Sequence, residues 1–227
     1  MPNEPLSGPI EAVIFDMDGL LIDSEAIYLR AMQTAARAVG REMSLDFCHS
    51  MVGVPGHECN LMIQELYGAD FDLKEFRVHV SAHVRQSMDE RVPIKPGVVE
   101  LLDFLAGHDL PRAVASSAQR ATIENHLGKA GLLPRFTTYA GRDDVALPKP
   151  APDVYLEAAR RLGVAPQRCV AFEDSSIGLA AAHAAGMKAF IVPDILRPTP
   201  EAEAKAIAVL PDLHAALPVL KRAVGVA

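Results

Sequence analysis

The stretch Ala12-Val13-Ile14-Phe15-Asp16-Met17-Asp18-Gly19-Leu20 decides the fold. Its opening run of apolar residues, β-branched and aromatic among them, reads as a strand buried on both faces, the kind found in parallel sheets. The run breaks on Asp16, Asp18 and Gly19. Bare carboxylates are costly inside a strand, so both acids belong at its carboxyl end, where open α/β sheets hold ligands. Alternation along an extended chain puts Asp16 and Asp18 on one side and turns Met17 to the other. Two carboxylates held together repel by roughly 4 kcal/mol at 4 Å and an effective dielectric of 20. A cation, a shared proton or both must offset that. The arrangement suggests a metal-dependent site in which one acid attacks and the other carries a proton.

Outward from this strand the chain has two textures. From Ser24 to Arg91 the pattern is helical throughout, with no convincing strand. Ile27, Met32, Ala35, Ala36 and Val39 form an apolar stripe that ends at Gly40. A second helix is expected over His57 to Leu66, and a third from Leu73 towards Glu90, capped by Asp72 and closed by Pro93. Beyond Pro96 strands return and alternate with helices. Strands are expected at Pro111 to Ala115, Phe136 to Ala140, Cys169 to Phe172 and Ala189 to Val192. Helices are expected up to Lys129, over Ala151 to Leu162 and over Ser175 to Ala185. The alanine-rich tail from Glu201 onward reads as core helix. This alternation implies an α/β fold, a Rossmann-like doubly wound parallel sheet with an inserted α-helical cap. The expected boundaries are 1–24 and 92–227 for the core and 25–91 for the cap.

At 227 residues the length suits a core with one smaller insertion. A net charge of −7 and the absence of a basic stripe argue against a protein built to grip nucleic acid. The three cysteines, Cys48, Cys59 and Cys169, are scattered and odd in number, as expected of reduced thiols. Met1 to Pro9 lacks the features of a signal peptide, and no apolar run is long enough to span a bilayer. The expectation is a cytoplasmic monomer with no nucleic-acid or membrane partner.

Three further signals fall at strand ends or in adjacent loops. Ser116 and Ser117 follow the second strand and precede a helix, where hydroxyls and free amides can hold phosphate, although serine is also a common N-cap. Lys149 lies in Leu147-Pro148-Lys149-Pro150-Ala151-Pro152, whose prolines stiffen the backbone and fix where the lysine points. Its ammonium suits a phosphate oxygen or a carboxylate, and an exposed lysine in a turn is the plainer alternative. Glu173 and Asp174 end the strand that begins at Cys169. Carboxylates there suit Mg²⁺, which takes one or two acids, waters and a phosphate oxygen, and an acidic N-cap accounts for only one of the pair. Each signal is weak alone. Together, at one sheet edge, they are strong.

These motifs, Asp16-Met17-Asp18-Gly19-Leu20-Leu21-Ile22-Asp23-Ser24-Glu25, Ser116, Lys149-Pro150-Ala151-Pro152-Asp153 and Phe172-Glu173-Asp174-Ser175 with Gly178, resemble the four motifs of the haloacid dehalogenase superfamily. The resemblance covers nearly the whole chain, with the helical insertion where the helical-cap subclass has it, near the sugar-phosphate phosphatases and β-phosphoglucomutase. It implies a phosphatase acting on a small phosphorylated metabolite. It also implies roles: Asp16 as the nucleophile that becomes a phosphoaspartate, Asp18 as general acid and base, and Ser116 and Lys149 on the phosphoryl group. Mg²⁺ would be held by Asp16, the backbone carbonyl of Asp18 and Asp174, with Glu173 acting through its water shell. Gly19 would permit the turn beyond the acids. Gly19, Ser117, Tyr28 and His57 would be the substrate-binding candidates, the last two from the cap.

Departures from the family pattern discriminate among relatives. β-Phosphoglucomutase carries a histidine where this chain has Tyr28, and a cap arginine where it has Gly56, which weakens a mutase reading. Dehalogenases lack the second acid, Asp18. Phosphonoacetaldehyde hydrolases need a Schiff-base lysine in the cap, and the cap lysine here, Lys74, reads as an exposed helix start. A receiver-like signalling module would use similar groups but lacks both the helical block and a residue such as Asp18 to discharge the intermediate. His79 and His83, spaced i, i+4, lack a third ligand and read as solvated.

Overall fold

The computed structural model describes residue 6 and residues 9–52, 54 and 56–225. These fall into two compact units, one drawn from 1–22 and 93–227 and the other from 23–92.

The first unit is built on a five-stranded, wholly parallel sheet of order β3-β2-β1-β4-β5. Its strands are β1 (Ala12–Phe15), β2 (Arg112–Ala115), β3 (Thr138–Ala140), β4 (Cys169–Glu173) and β5 (Lys188–Ile191). Every residue of β1 is buried, as its unbroken apolar run requires of a central parallel strand. Register sets Phe15 beside Val114 on one side and Phe172 on the other. The order places the ends of β1, β2 and β4 next to one another, which brings together side chains far apart in sequence.

Alternation gives the sheet two different faces. One carries small side chains, Ala12, Ala113, Ala115, Ala140 and Ala171, packed with Tyr155, Ala158, Leu179 and Ala182 from the crossover helices. Alanine on both sides lets helix and sheet backbones approach closely. On strands of the other parity Phe15 stacks on Phe172 with ring centres 5.5 Å apart, and Phe172 on Phe190 at 5.3 Å.

Helices α1 (Ser24–Ala38), α2 (Leu45–Ser50), α3 (Gly56–Tyr67) and α4 (Leu73–Glu90) make up the second unit. Helix α1 packs against α4, and Asp72 caps α4 through its Oδ1, which accepts from Glu75 N at 2.9 Å. A cavity of about 550 Å³ lies within this unit, lined by Tyr28, Met32, Met51, Ile63, Phe76 and Arg77 among others. The short α2 escapes the sequence pattern.

The remaining helices, α5 (Val98–Gly107), α6 (Arg120–Lys129), α7 (Asp153–Leu162), α8 (Ser176–Ala184), α9 (Pro200–Glu203) and α10 (Ala216–Ala223), belong to the first unit. Helix α5 lies outside the sequence expectation, although its buried Val98, Leu101, Leu102 and Leu105 show helical spacing. The tail differs from the expected core helix. Between α9 and α10 the chain runs extended beside β5: Ile207 N donates to Ala189 O and Leu210 N to Ile191 O. Pairing with an open sheet edge satisfies β5 in a way that helix could not.

Candidate active site at the carboxyl edge of the sheet

Asp16 follows β1 directly and is buried. The chain then turns sharply: Gly19 N donates to Ile22 O at 2.9 Å, and Ile22 N to Met17 O at 3.1 Å. Gly19 sits at φ +84°, a conformation that disfavours any side chain, and a Cβ there would lie 2.2 Å from Asp174 Oδ2. Both conformation and space demand glycine. Asp18 is half-buried on this turn, and its charge acts on Asp16 and on His126.

Lys149 ties the edge together. Its Nζ donates to Asp16 Oδ1 at 2.6 Å, to Glu173 Oε1 at 2.5 Å and to Ala115 O at 3.1 Å, so one ammonium joins the ends of β1, β2 and β4. The Lys149 side chain is 7% exposed and that of Glu173 is wholly buried. Burial alone would lower the lysine's pKa. Asp16 and Glu173 more than offset this and raise it, so the ammonium is held charged.

Glu173 shares its parity with Cys169 and Ala171 on the alanine face, which turns it towards α7. There Tyr155, itself buried, donates its hydroxyl to Glu173 Oε1 at 2.6 Å, and its ring lies 4.9 Å below the Lys149 ammonium. Ser175 Oγ and the amides of Asp174 and Ser175 donate to Oε2. Helix α8 passes so close that a Cβ on Gly178 would fall 1.9 Å from Glu173 Oε1. Glu173 is thus engaged by protein donors at both oxygens, Lys149 and Tyr155 at Oε1 and Ser175 with the two amides at Oε2.

Oxygens of Asp16, Glu173 and Asp174 lie within 4.8 Å of one another. Three carboxylates against one ammonium leave an excess of negative charge in a buried place. Burial is the largest cause pushing the Asp16 and Asp174 carboxyls above the usual range, and the neighbouring acids add to it. The donor set is all hard oxygen, short of positive charge, and crowded against a gap that only glycine leaves open. It fits a divalent cation.

Ser116 is buried behind β2, its hydroxyl accepting from Ala118 N at 3.0 Å. It does not cap a helix, which was its plainer alternative, nor does it stand at a helix start. Helix α6 begins only at Arg120, after Gln119, and Arg120 N is taken by Asp143 Oδ1 at 2.9 Å. Ser117 is exposed. In the helical unit Tyr28 lines the cavity with its pKa raised, chiefly by burial, and His57 is exposed beside Glu58. Sequence reasoning missed Tyr155, Lys95 and Asp194. Tyr155 occupies an apolar helical position, and nothing in its spacing sets it apart from core. Lys95 and Asp194 pair at 2.5 Å across 99 positions of chain, with no local signal.

This constellation and the parallel sheet define a hydrolase of the haloacid dehalogenase type. The chain belongs to the haloacid dehalogenase-like hydrolase family, which it matches over residues 13–192. It is 33% identical over 179 residues to the phosphorylated carbohydrates phosphatase of Thermotoga maritima, covering 79% of this chain and 83% of that one. It is also 33% identical over 177 residues to the fructose-1-phosphate phosphatase of Escherichia coli, covering 78% and 93% respectively. Among solved structures, a HAD family hydrolase from Deinococcus radiodurans with bound phosphate and sodium superimposes with a TM-score of 0.83 at 28% identity, covering 96% of this chain and 98% of that one. No helix among the described residues is long and apolar enough to cross a membrane.

Proposed function

We propose that this chain is a Mg²⁺-dependent phosphatase that hydrolyses a small phosphorylated carbohydrate through a phosphoaspartate on Asp16. The observation that carries the reading is Lys149, whose ammonium touches Asp16 Oδ1 at 2.6 Å and Glu173 Oε1 at 2.5 Å. That contact keeps a buried carboxylate compensated beside an incoming anion. The phosphatases for phosphorylated carbohydrates and fructose 1-phosphate among its relatives support the substrate class.

In this reading the Asp16 carboxylate attacks phosphorus, and the leaving alkoxide takes a proton from Asp18. Asp18, now a carboxylate, removes a proton from water, which attacks the phosphorus and frees Asp16 and inorganic phosphate. Lys149 stabilises charge spread over the phosphoryl oxygens, and Ser116 holds one of them. Tyr155 and Glu173 keep the ammonium aimed at Asp16. Asp16, Asp174 and the Asp18 backbone carbonyl would hold the cation, which when bound offsets the repulsion between nucleophile and phosphate. Gly19 and Ser117 would border the phosphate, and Tyr28 and His57 would belong to the substrate-reading cap of 25–91. The catalytic domain would be 1–24 with 92–227. The free thiols of Cys48, Cys59 and Cys169 support a cytoplasmic setting.

The test is phosphate release from a panel of sugar phosphates and other small phosphomonoesters, with and without Mg²⁺, by wild type and Asp18→Asn. Metal-dependent release by wild type, reduced about 10²–10⁴-fold in the variant, is expected. Isomerised sugar without free phosphate would replace this reading with a phosphomutase, and a phosphoaspartate lasting minutes would replace it with a signalling module.

A further inference from the structure

Asp194 lies in the loop after β5, and its side chain is 10% exposed. Its two oxygens have different surroundings. Oδ1 accepts from Lys95 Nζ at 2.5 Å, while Oδ2 is buried with no hydrogen-bond partner among the described residues. A carboxylate oxygen left unpaired in the interior keeps its full desolvation penalty, so such an orphan calls for a donor. The direction it faces says which. The point where a Cβ on Gly19 would sit is 3.3 Å from Asp194 Oδ2 and 2.2 Å from Asp174 Oδ2. Both acids therefore address the one small gap that Gly19 leaves at the carboxylate cluster. Lys95 is held from behind, its backbone N donating to Leu21 O at 3.1 Å and its neighbour Ile94 bridging to Ile22. The Asp194 carboxylate is thus pinned to the same turn that carries Asp18 and Gly19.

We propose that Asp194 is a positioning residue for the metal site, its Oδ2 accepting a hydrogen bond from a water of the cation that Asp16 and Asp174 hold. This rests on the cation of the proposed function. Mg²⁺ keeps several waters, and those waters are oriented by acceptors beyond the direct ligands. Asp194 offers a pre-aimed acceptor, and Lys95 keeps its other oxygen from competing for the site.

Isothermal titration of Mg²⁺ into the metal-free protein tests it, with wild type and Asp194→Asn side by side. The amide keeps an oxygen for Lys95 but turns a donor towards the water. Its Mg²⁺ affinity is expected to fall about 10–100-fold. Half-saturating Mg²⁺ for turnover should rise by the same factor, while kcat at saturating Mg²⁺ stays within about threefold of wild type. A variant that melts earlier but binds Mg²⁺ like wild type overturns the inference and leaves the phosphatase intact. A wild type that binds no Mg²⁺ overturns the metal reading and this inference together. Should the variant not fold, a crystal structure of the wild type with Mg²⁺ decides. A metal-bound water donating to Asp194 Oδ2 supports the assignment, and its absence overturns it.

Discussion

Each unit is packed internally in its own way, and the two ways differ. In β4 all five residues are buried, as are all of β1 and all but Lys188 of β5. In the 18-residue α4 only Phe76, Val80 and Met88 are buried, and α3 buries only Ile63. Leu61 and Val78 stand 63% and 62% exposed on those helices. Parallel strands pin each residue through neighbours on two sides and two faces, whereas a small helical unit secures each helix by a narrow stripe. The difference fits a division of labour. In the proposed function, chemistry that tolerates little displacement would sit on the sheet, and the thinly packed helices, which enclose the cavity, would read the substrate.

The largest effects should come from breaking the charged knot on the sheet. Lys149→Met leaves Asp16 and Glu173 uncompensated in the interior. Turnover should fall about 10²–10³-fold, and stability by about 3–5 kcal/mol, read by phosphate release and chemical denaturation. A variant that keeps its stability would mean that these carboxylates are not charged together in the folded protein.

The contrast in packing can be set up with one residue type. Ile14→Ala on β1 should cost stability near the top of the 2–5 kcal/mol range for such truncations. Ile63→Ala on α3 should fall near the bottom, measured by the same denaturation curve. Equal losses would break the comparison between the units. A separate, earlier transition shifted only by Ile63→Ala would sharpen it.

Tyr155→Phe removes one donor from a buried carboxylate oxygen and keeps the ring beneath Lys149. A loss of about 1–3 kcal/mol is expected in denaturation.

The smallest effect is at Glu157 on α7, a partly buried carboxylate between Arg160 and Arg161. Glu157 is held at a pKa of about 2, first by its hydrogen bond to Arg160 and then by Arg161, against some opposing burial. A depressed carboxyl adds stability above its unfolded pKa and loses it as pH falls through the folded value. Glu157→Gln should therefore be less stable than wild type by under about 1 kcal/mol at neutral pH. The gap should close between pH 4.5 and about 2, followed by thermal melts across that range. A gap that persists at pH 2 would mean that packing, not charge, carries the effect.

Much of the sheet side was legible in the sequence, because buried parallel strands announce themselves as apolar runs and their ends as sudden charge. Asp16, Asp18, Lys149, Glu173 and Asp174 all stand at such ends or in the stiff proline turn, and the structure brings them to one edge. What stayed hidden was whatever depends on contact between remote segments. Lys149 reaches Asp16 across 133 positions, and Tyr155 reads as one more apolar-stripe residue until Glu173 is seen against it. Asp194 and Lys95 lie in irregular chain with no period to mark them. The tail departs from its expected helix for a related reason. Its alanines favour helix locally, and the open edge of β5 draws the chain into pairing instead.

The central claim is that Asp16 takes the phosphoryl group, and chemical trapping tests it directly. Wild type mixed with a sugar phosphate that it hydrolyses would be quenched within one turnover and reduced with borohydride, which converts an aspartyl phosphate to homoserine. Mass spectrometry of the peptide spanning residues 12–20 should then find homoserine at position 16, and none in Asp16→Asn. Phosphate released at full rate with position 16 unmodified, or homoserine at another acid, would contradict the account.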